Sequence, residues 1–288
     1  MNPPRVLFVT GKGGTGKSTI AAALALALAR RRPTILADLD GRGTASAILA
    51  DFAQPHGALE VVSLSPRAEL TAFIERIVPL RAVSRRMLKS RTFGYVTAAL
   101  PGLEAFLLLE RLRIMGGDAA LEDRFVVIDA PASGSALELL SVPRGLKGIA
   151  PAGSLNRLAN AVENFLTDPT RFGVVITVTP EELAIREAIE TAAAIRERLG
   201  ASPVLAIMNR TPERLFDKAE LAALSPFGAH AELAIRRSYT NERAVLGVEE
   251  LGEAGLATIV LPMLFTPGVN FHEVAQLSRA LEPALAAT

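Results

Sequence analysis

Short unbroken apolar runs recur along this chain, and longer segments with apolar residues at helical spacing lie between them. The runs Arg5–Thr10, Thr34–Asp38, Leu59–Leu64, Phe125–Asp129, Gly173–Thr179, Pro203–Met208 and Ala257–Leu261 are rich in Val, Ile and Leu. Continuous rather than alternating hydrophobicity predicts strands buried on both faces. The intervening segments predict helices over Ser18–Arg31, Asn156–Leu166, Pro180–Leu199, Pro212–Leu224 and Phe271–Leu285. For the Pro180 helix, Thr179 is the expected cap, Pro180 takes the first position, Glu181 and Glu182 suit the dipole, and Gly200 closes it. Alternating strand and helix predicts an α/β fold, a doubly wound and mostly parallel sheet of about seven or eight strands flanked by helices. Pro66 to Gly117 breaks the alternation. It has no clear strand, and Leu70, Phe73, Ile74, Ile77, Phe106–Leu109 and Leu112 fall at helical spacing, which predicts a helical insertion. No internal repeat, low-complexity tract or linker marks a boundary, so residues 1–288 read as one domain carrying that insertion.

The first strand runs into Gly11-Lys12-Gly13-Gly14-Thr15-Gly16-Lys17-Ser18-Thr19. Gly11 to Ser18 fits the phosphate-loop pattern G-x-x-x-x-G-K-S/T, and the almost pure Ala/Leu stretch Ile20–Ala29 supplies the helix that must follow. Glycines let the backbone curl around phosphate with its N–H groups pointing inward, and the helix N-terminus adds positive potential. Lys17 is expected to reach the β- and γ-phosphates, and the Ser18 hydroxyl to ligate Mg²⁺. A second lysine, Lys12, sits inside the loop. Two ammonium groups this close repel each other unless a polyanion neutralises both. Spacing alone leaves Lys12 open between that role and a solvated surface lysine.

In a parallel sheet the ligand lies at the carboxyl ends of the strands. The second run ends in Asp38-Leu39-Asp40, followed by Gly41-Arg42-Gly43, and the fourth ends in Asp129. Asp129 suits a Walker B aspartate holding Mg²⁺ through water. Asp38 and Asp40 are alternate residues, so both point the same way if the strand continues. One would support the metal and the other, Asp40, would orient a water for attack on the γ-phosphate. The alternative for each is a strand-end turn or cap.

Composition narrows the partners. Lys and Arg number 31 against 30 acids, a net charge of +1, so nothing electrostatic suggests nucleic acid. The absence of cysteine excludes disulfides, thiolate metal sites and cysteine nucleophiles. The N-terminus leads directly into a strand, and Ile20–Ala29 is too short to span a bilayer and ends in Arg30-Arg31-Arg32. A cytoplasmic protein without direct membrane insertion is expected. His56, His230 and His272 are scattered and lack ligand spacing. Arg85, Arg86, Lys89 and Arg91 form a basic cluster that reads as a solvated helix face, or as a landing place for an acidic client segment.

Lys12 to Thr19 resembles the deviant Walker A motif of the MinD, ParA and ArsA/Get3 ATPases. Further stretches resemble the ArsA/Get3 family in particular. Asp129-Ala130-Pro131-Ala132-Ser133-Gly134-Ser135 and the leucine-rich stretch after it resemble that family's second switch, with Ser135 in place of its histidine. Leu100-Pro101-Gly102-Leu103-Glu104 resembles its P-G-x-x-E element, and Val175–Glu181 and Ile207–Arg210 resemble its later strand ends. The resemblance implies an ATPase with Mg²⁺. It implies that Lys12 touches the nucleotide of a partner chain across a dimer interface, that Asn209 hydrogen-bonds adenine, and that Pro262 and its neighbours pack around the base. The first switch of that family reads D-P-A-H, whereas this chain has Asp40-Gly41-Arg42-Gly43, and Asp38-Leu39-Asp40 is equally similar to the D-x-D of MinD and ParA. Neither the zinc-binding cysteine pair of eukaryotic Get3 nor the metalloid-binding cysteines of arsenite pumps is present, and there is one nucleotide unit where the pump subunit has two. The chain thus resembles a divergent bacterial-type member.

These readings imply a dimeric ATP-driven switch that handles a protein client or a membrane transport partner. The dimer would be either a homodimer or a heterodimer with a paralogue across the Lys12 face. Three alternatives remain open. An exporter subunit would have to bind metalloid without thiolates. A MinD/ParA-like partitioning ATPase would need a basic amphipathic helix, which Phe271–Leu285 is not, or a basic DNA surface. A weakly active subunit of a heterodimer would fit the altered first switch and Ser135.

Overall fold

The unbroken apolar runs become strands, and those in the middle of the sheet are buried on both faces, whereas the edge runs Leu59–Ser63 and Thr258–Pro262, each with one neighbour, are mostly exposed or half-buried, which corrects the expectation for those two. The computed structural model describes residues 3–39, 43–49, 58–77, 102–117, 124–149, 152–200 and 203–287. Within them β1 (Val6–Gly11), β2 (Thr34–Asp38), β3 (Leu59–Ser63), β4 (Phe125–Asp129), β5 (Phe172–Val178), β6 (Pro203–Thr211) and β7 (Thr258–Pro262) form one sheet in the order β3-β2-β4-β1-β5-β6-β7. Every pairing is parallel. The expected doubly wound α/β sheet is borne out, and each expected strand is present to within a few residues. The helices are α1 (Lys17–Ala29), α2 (Thr44–Ile48), α3 (Pro66–Ile77), α4 (Leu103–Gly117), α5 (Ser133–Ile149), α6 (Ser154–Thr167), α7 (Glu182–Leu199), α8 (Lys218–Leu224), α9 (Ala229–Glu253) and α10 (Phe271–Ala287).

The pleat divides each strand between two cores. Leu7, Val9, Leu36, Val127 and Val175 face α1 and Leu277 and Leu281 of α10. Val6, Phe8, Val126, Ile128, Val174 and Ile176 face the other way, toward Leu109, Leu140, Val162 and Ile185 of α4 to α7. Helix α1 is apolar all round, and Ile20 through Leu28 are all buried between sheet and α10. This anchors the segment that follows the glycine loop. Between β3 and β4 the described residues form α3 and α4, packed on each other. The basic cluster Arg85–Arg91 and His56 lie outside the described residues, and His272 is exposed.

Three local expectations are corrected. Helix α7 begins at Glu182 with Glu181 as its extended N-cap, and no side chain caps it. Thr179 is buried, and its carbonyl accepts the Glu181 N–H (2.7 Å) across Pro180, so the chain makes a tight turn before the helix starts. Gly200 closes the helix in the left-handed conformation as expected (φ 68°). The helix expected from Pro212 starts only at Lys218. Asp217 accepts the Glu220 N–H, and Glu220 accepts the Asp217 N–H, each at 2.8 Å. That reciprocal capping box fixes the start. Helix α9, 25 residues long, was not expected, because its apolar residues lack a clear helical period.

Helices α5 and α6 are joined by Glu163, whose carboxylate accepts from Lys147 (2.6 Å) and Arg144 (2.9 Å). The Lys147 hydrogen bond first, then that of Arg144, hold the Glu163 carboxyl below its ordinary value of 4.5. A lowered folded pKa means that the contribution is present above the unfolded value and fades as pH falls through the lower folded one. Glu163→Gln is expected to cost about 1 kcal/mol at pH 7, because Arg144 is largely solvated. The urea midpoints of the two proteins should converge well below pH 4.5. A gap that persists unchanged there would show that charge pairing is not the cause.

Candidate functional site

The carboxyl ends of the strands gather the chemistry. Strand β1 lies between β4 and β5 and delivers Gly11–Gly16 to the centre of that edge, with Lys17 as the first residue of α1. Gly16 takes φ 91°, and a Cβ there would stand 2.5 Å from Asn209 Nδ2, so only glycine fits where loop meets helix. Gly13 and Gly14 are exposed, and Lys12, Lys17, Ser18 and Thr19 are half-buried. The loop's functional groups therefore face outward over a buried apolar base.

A ladder of polar contacts holds the loop. Asn209 Nδ2 donates to the Thr15 carbonyl (2.9 Å). Thr15 Oγ1 donates to the Lys12 carbonyl (2.9 Å) and lies 2.7 Å from Thr177 Oγ1, which is 3.1 Å from the Thr10 carbonyl. Two hydroxyls have two protons for three contacts, so Thr177 shares its proton between Thr15 Oγ1 and the Thr10 carbonyl. Thr10 Oγ1 donates to the Pro131 carbonyl (2.8 Å), just past β4. The ladder thus runs from β6 through the loop, β5 and β1 to the segment after Asp129. Sequence reasoning missed Thr177 and its role. The available signal was a hydroxyl in the otherwise apolar run Phe172–Val178.

Asp38 and Asp129 are direct register partners at the ends of β2 and β4, and both are buried. Two adjacent buried carboxylates favour a nearby cation. Their carboxylate oxygens are hard donors of the kind that suits Mg²⁺, as is the hydroxyl of Ser18 at the start of α1. No group of three or more His, Cys, Asp or Glu that could hold a metal ion exists among the described residues. Asp40, Gly41 and Arg42 lie outside the described residues.

Asn209 sits where β6 loses register with β7, between Met208 and Thr211. Arg210 beside it adopts a left-handed backbone (φ 58°). Asn209 lines a cavity of about 360 Å³ with Gly16, Thr19, Pro262, Met263 and Leu264. Four of the expected nucleotide residues, Gly16, Thr19, Asn209 and Pro262, therefore share one cavity beside the loop. The second N–H of Asn209 and its Oδ1 are not used in the bond to Thr15, and that pair can meet the N6/N7 edge of adenine.

Lys12 pairs with Glu187 of α7 (3.4 Å), and Ser133 at the start of α5 donates to the same carboxylate (2.7 Å). Glu187 escaped sequence reasoning, and Ser133 was read only as part of the second-switch stretch, without this contact. Glu187 is one of several glutamates on a helix, with nothing in the sequence to single it out.

A family model described as the CobQ/CobB/MinD/ParA nucleotide-binding domain matches residues 6–219. The chain belongs to that family. Its relatives include ATPase BagA of Mycobacterium tuberculosis, 27% identical over 203 residues, covering 65% of this chain and 59% of that protein. The arsenical pump-driving ATPase of Escherichia coli is 27% identical over 222 residues, covering 66% of this chain and 36% of that protein. The chain thus spans about three fifths of the length of its mycobacterial relative. The resemblance to MinD, ParA and ArsA carried by Lys12–Thr19 is borne out, and the matched span contains every element from β1 to the start of α8.

Proposed function

We propose that residues 1–288 form one nucleotide-binding unit that binds ATP with Mg²⁺ and hydrolyses it as a dimeric switch of the ArsA/Get3 type. The observation that carries the reading is the outward-facing loop Gly11–Gly16, set beside the buried pair Asp38 and Asp129. The names of the relatives, ATPase BagA and arsenical pump-driving ATPase, support hydrolysis. Lys17 and the loop N–H groups hold the β- and γ-phosphates, and Asn209 and Pro262 hold the base. Ser18 with Asp129 and Asp38, the aspartates through water, would hold Mg²⁺, which when bound neutralises phosphate charge. Asp40 is assigned to orient the water that attacks the γ-phosphorus, so that the β–γ bridging oxygen leaves with ADP. Phosphate release in Mg²⁺ tests this. Turnover should vanish in EDTA, and turnover unaffected by chelation would overturn the assignment of Ser18, Asp38 and Asp129.

Lys12 is assigned to the nucleotide of a partner chain. Its pairing with Glu187 does not oppose this, because both groups are more than a third exposed and such pairs contribute about 0–1 kcal/mol. A triphosphate across the interface offers more charge than one carboxylate. Mass in solution is therefore expected to double with ATP and Mg²⁺ for the wild type and to remain monomeric for Lys12→Ala. A Lys12→Ala dimer under the same conditions would remove the interface from the Lys12 face.

A protein client or transport partner is favoured as the cargo over a metalloid, because the chain has no cysteine to supply soft ligands. The ladder from Asn209 to Pro131 supports switching, since it ties the loop to the segment after Asp129. Among the described residues no helix is long and apolar enough to cross a membrane, which accords with the proposed cytoplasmic site of action. Pull-down with Asp40→Asn and ATP should retain the client. Recovery of self alone would count against client handling.

A further inference from the structure

Helix α9 has two sides with different surroundings. Ala244, Gly247 and Leu251 are buried, and Gly247 packs on Ile185 of α7 and Met208 of β6. By the helical period the opposite side carries Ile235, Tyr239, Glu242 and Leu246, and all four are exposed. Their spacing of four, three and four residues sets them in one line along the helix. Ile235, Tyr239 and Leu246 expose 49%, 64% and 49% of their surface, and nothing in the ATPase reading uses them. Apolar side chains aligned on a solvent face mark an interaction surface.

Topology fixes where that line lies. Helix α9 leads into β7 and so ends toward the amino ends of the strands. Gly247 already meets Ile185 in the first turn of α7, which starts at the carboxyl edge. From Ala229 to Gly247 the helix rises about 27 Å, so its first half lies along that edge and past it. In this half Arg237 and Asn241 donate to the carbonyls of Glu213 (3.0 Å) and Pro212 (2.8 Å), just beyond β6. The same edge presents Lys12.

Charge divides along α9. The first half carries Glu232, Arg236 and Arg237, and the second carries Glu242, Arg243, Glu249, Glu250 and Glu253. Glu232 pairs with Arg236 (2.9 Å), and Arg243 with Glu250 (3.0 Å). The first half is thus left with the charge of Arg237. The second is left with Glu242, Glu249 and Glu253, which make no ion pair among the described residues. A surface basic at one end and acidic at the other is complementary to itself under a twofold axis that reverses the helix. Parallel pairing would set each free glutamate against its own copy. Antiparallel pairing, centred between Tyr239 and Glu242, sets Ile235 on the partner's Leu246 and the Tyr239 hydroxyl beside the partner's Glu242. A twofold that brings two carboxyl edges face to face, as a contact through Lys12 needs, also reverses α9.

We propose that the outer line of α9 is an interface with a second copy of this chain, the two helices running antiparallel with Ile235 against the partner's Leu246. Three apolar side chains from each copy fall well short of the roughly 800 Å² per partner that a stable dimer buries. The contact alone is therefore weak. It adds to the Lys12 contact in the ATP state, and that addition rests on the dimer reading above.

The chain has no cysteine, so introduced thiols report the contact without background. Ile235→Cys and Leu246→Cys proteins are mixed at high concentration and oxidised mildly, without nucleotide and with ATP and Mg²⁺. Val61→Cys, on the edge strand β3, mixed with Leu246→Cys measures random collision. A crossed disulfide between positions 235 and 246, identified by peptide mass, is expected to dominate. It should form faster than the collision control in both conditions, and faster still with ATP and Mg²⁺. Ile235→Glu alters an exposed side chain and should weaken ATP-driven dimerisation roughly tenfold or more while leaving the thermal shift from ATP unchanged. Disulfides only between like positions, a crossed disulfide no faster than the collision control in either condition, or unaltered dimerisation of Ile235→Glu would each overturn the proposal. A crossed disulfide that forms while ATP and Mg²⁺ neither speed it nor double the wild-type mass would leave the α9 pairing standing and remove the ATP-driven dimer. Doubled mass without a crossed disulfide would do the reverse.

Discussion

Replacing Lys17 with alanine is expected to remove ATP binding and turnover while leaving the apo fold intact. Lys17 opens α1, half-buried, at the point where the loop ends. It makes no ion pair or side-chain hydrogen bond among the described residues, so truncation deprives the apo protein of little. On the proposed reading its ammonium reaches the β- and γ-phosphates of the nucleotide bound by the same chain. A preorganised charged donor of this kind contributes roughly 10²–10³-fold in turnover. The apo melting temperature should therefore lie within about 2 °C of the wild type, and the stabilisation by ATP and Mg²⁺ should vanish. A Lys17→Ala protein that still gains thermal stability from ATP would show that the loop does not grip phosphate in the assigned way. A Lys12→Ala protein provides the contrast: it should still bind ATP as a monomer and fail only where two chains must meet.

The two lysines also show how far the sequence reaches. The loop, its strand and its helix are legible because they are local: an apolar run, a glycine pattern and an Ala/Leu helix in immediate succession. Asp38 and Asp129 are legible one by one as strand ends. Their direct pairing follows from β4 inserting between β2 and β1, which no local pattern records. The same holds for Thr177, 162 positions from the Thr15 hydroxyl it contacts. Glu187 is hidden for a different reason, since on α7 it looks like any helix-surface acid and only the fold brings it to Lys12 and Ser133. Helix α9 was missed because many of its apolar side chains do not face a core. Leu233, Tyr239, Val245 and Leu246 remain exposed, so the apolar stripe that normally betrays a surface helix is scattered.

Glycines of one motif are expected to differ sharply in what they tolerate. Gly11 ends β1 at φ 148°, and a Cβ there would overlap the Thr177 carbonyl oxygen of β5 as well as the Thr177 hydroxyl. Gly13 has no atom within 4 Å of where its Cβ would lie, and its φ is ordinary. Gly11→Ala therefore combines backbone strain with a backbone overlap and should destabilise the apo protein by about 3 kcal/mol or more. That corresponds to a fall of roughly 6–10 °C in melting temperature for a chain of this size. Gly13→Ala should stay within about 0.5 kcal/mol in the apo state and show its effect only when phosphate fills the loop. The overlap at Gly11 decides a further point. If the Thr177 hydroxyl were the obstacle, Thr177→Ala would rescue Gly11→Ala. Because the nearest atom is the main-chain oxygen, which no side-chain change removes, the double variant should be no more stable than Gly11→Ala. It should in fact be worse by the loss of the Thr177–Thr15 hydroxyl contact. Rescue in the double variant would mean that β1 and β5 can part at their ends, and that the loop is held by the hydroxyl ladder rather than by the close approach of the two strands.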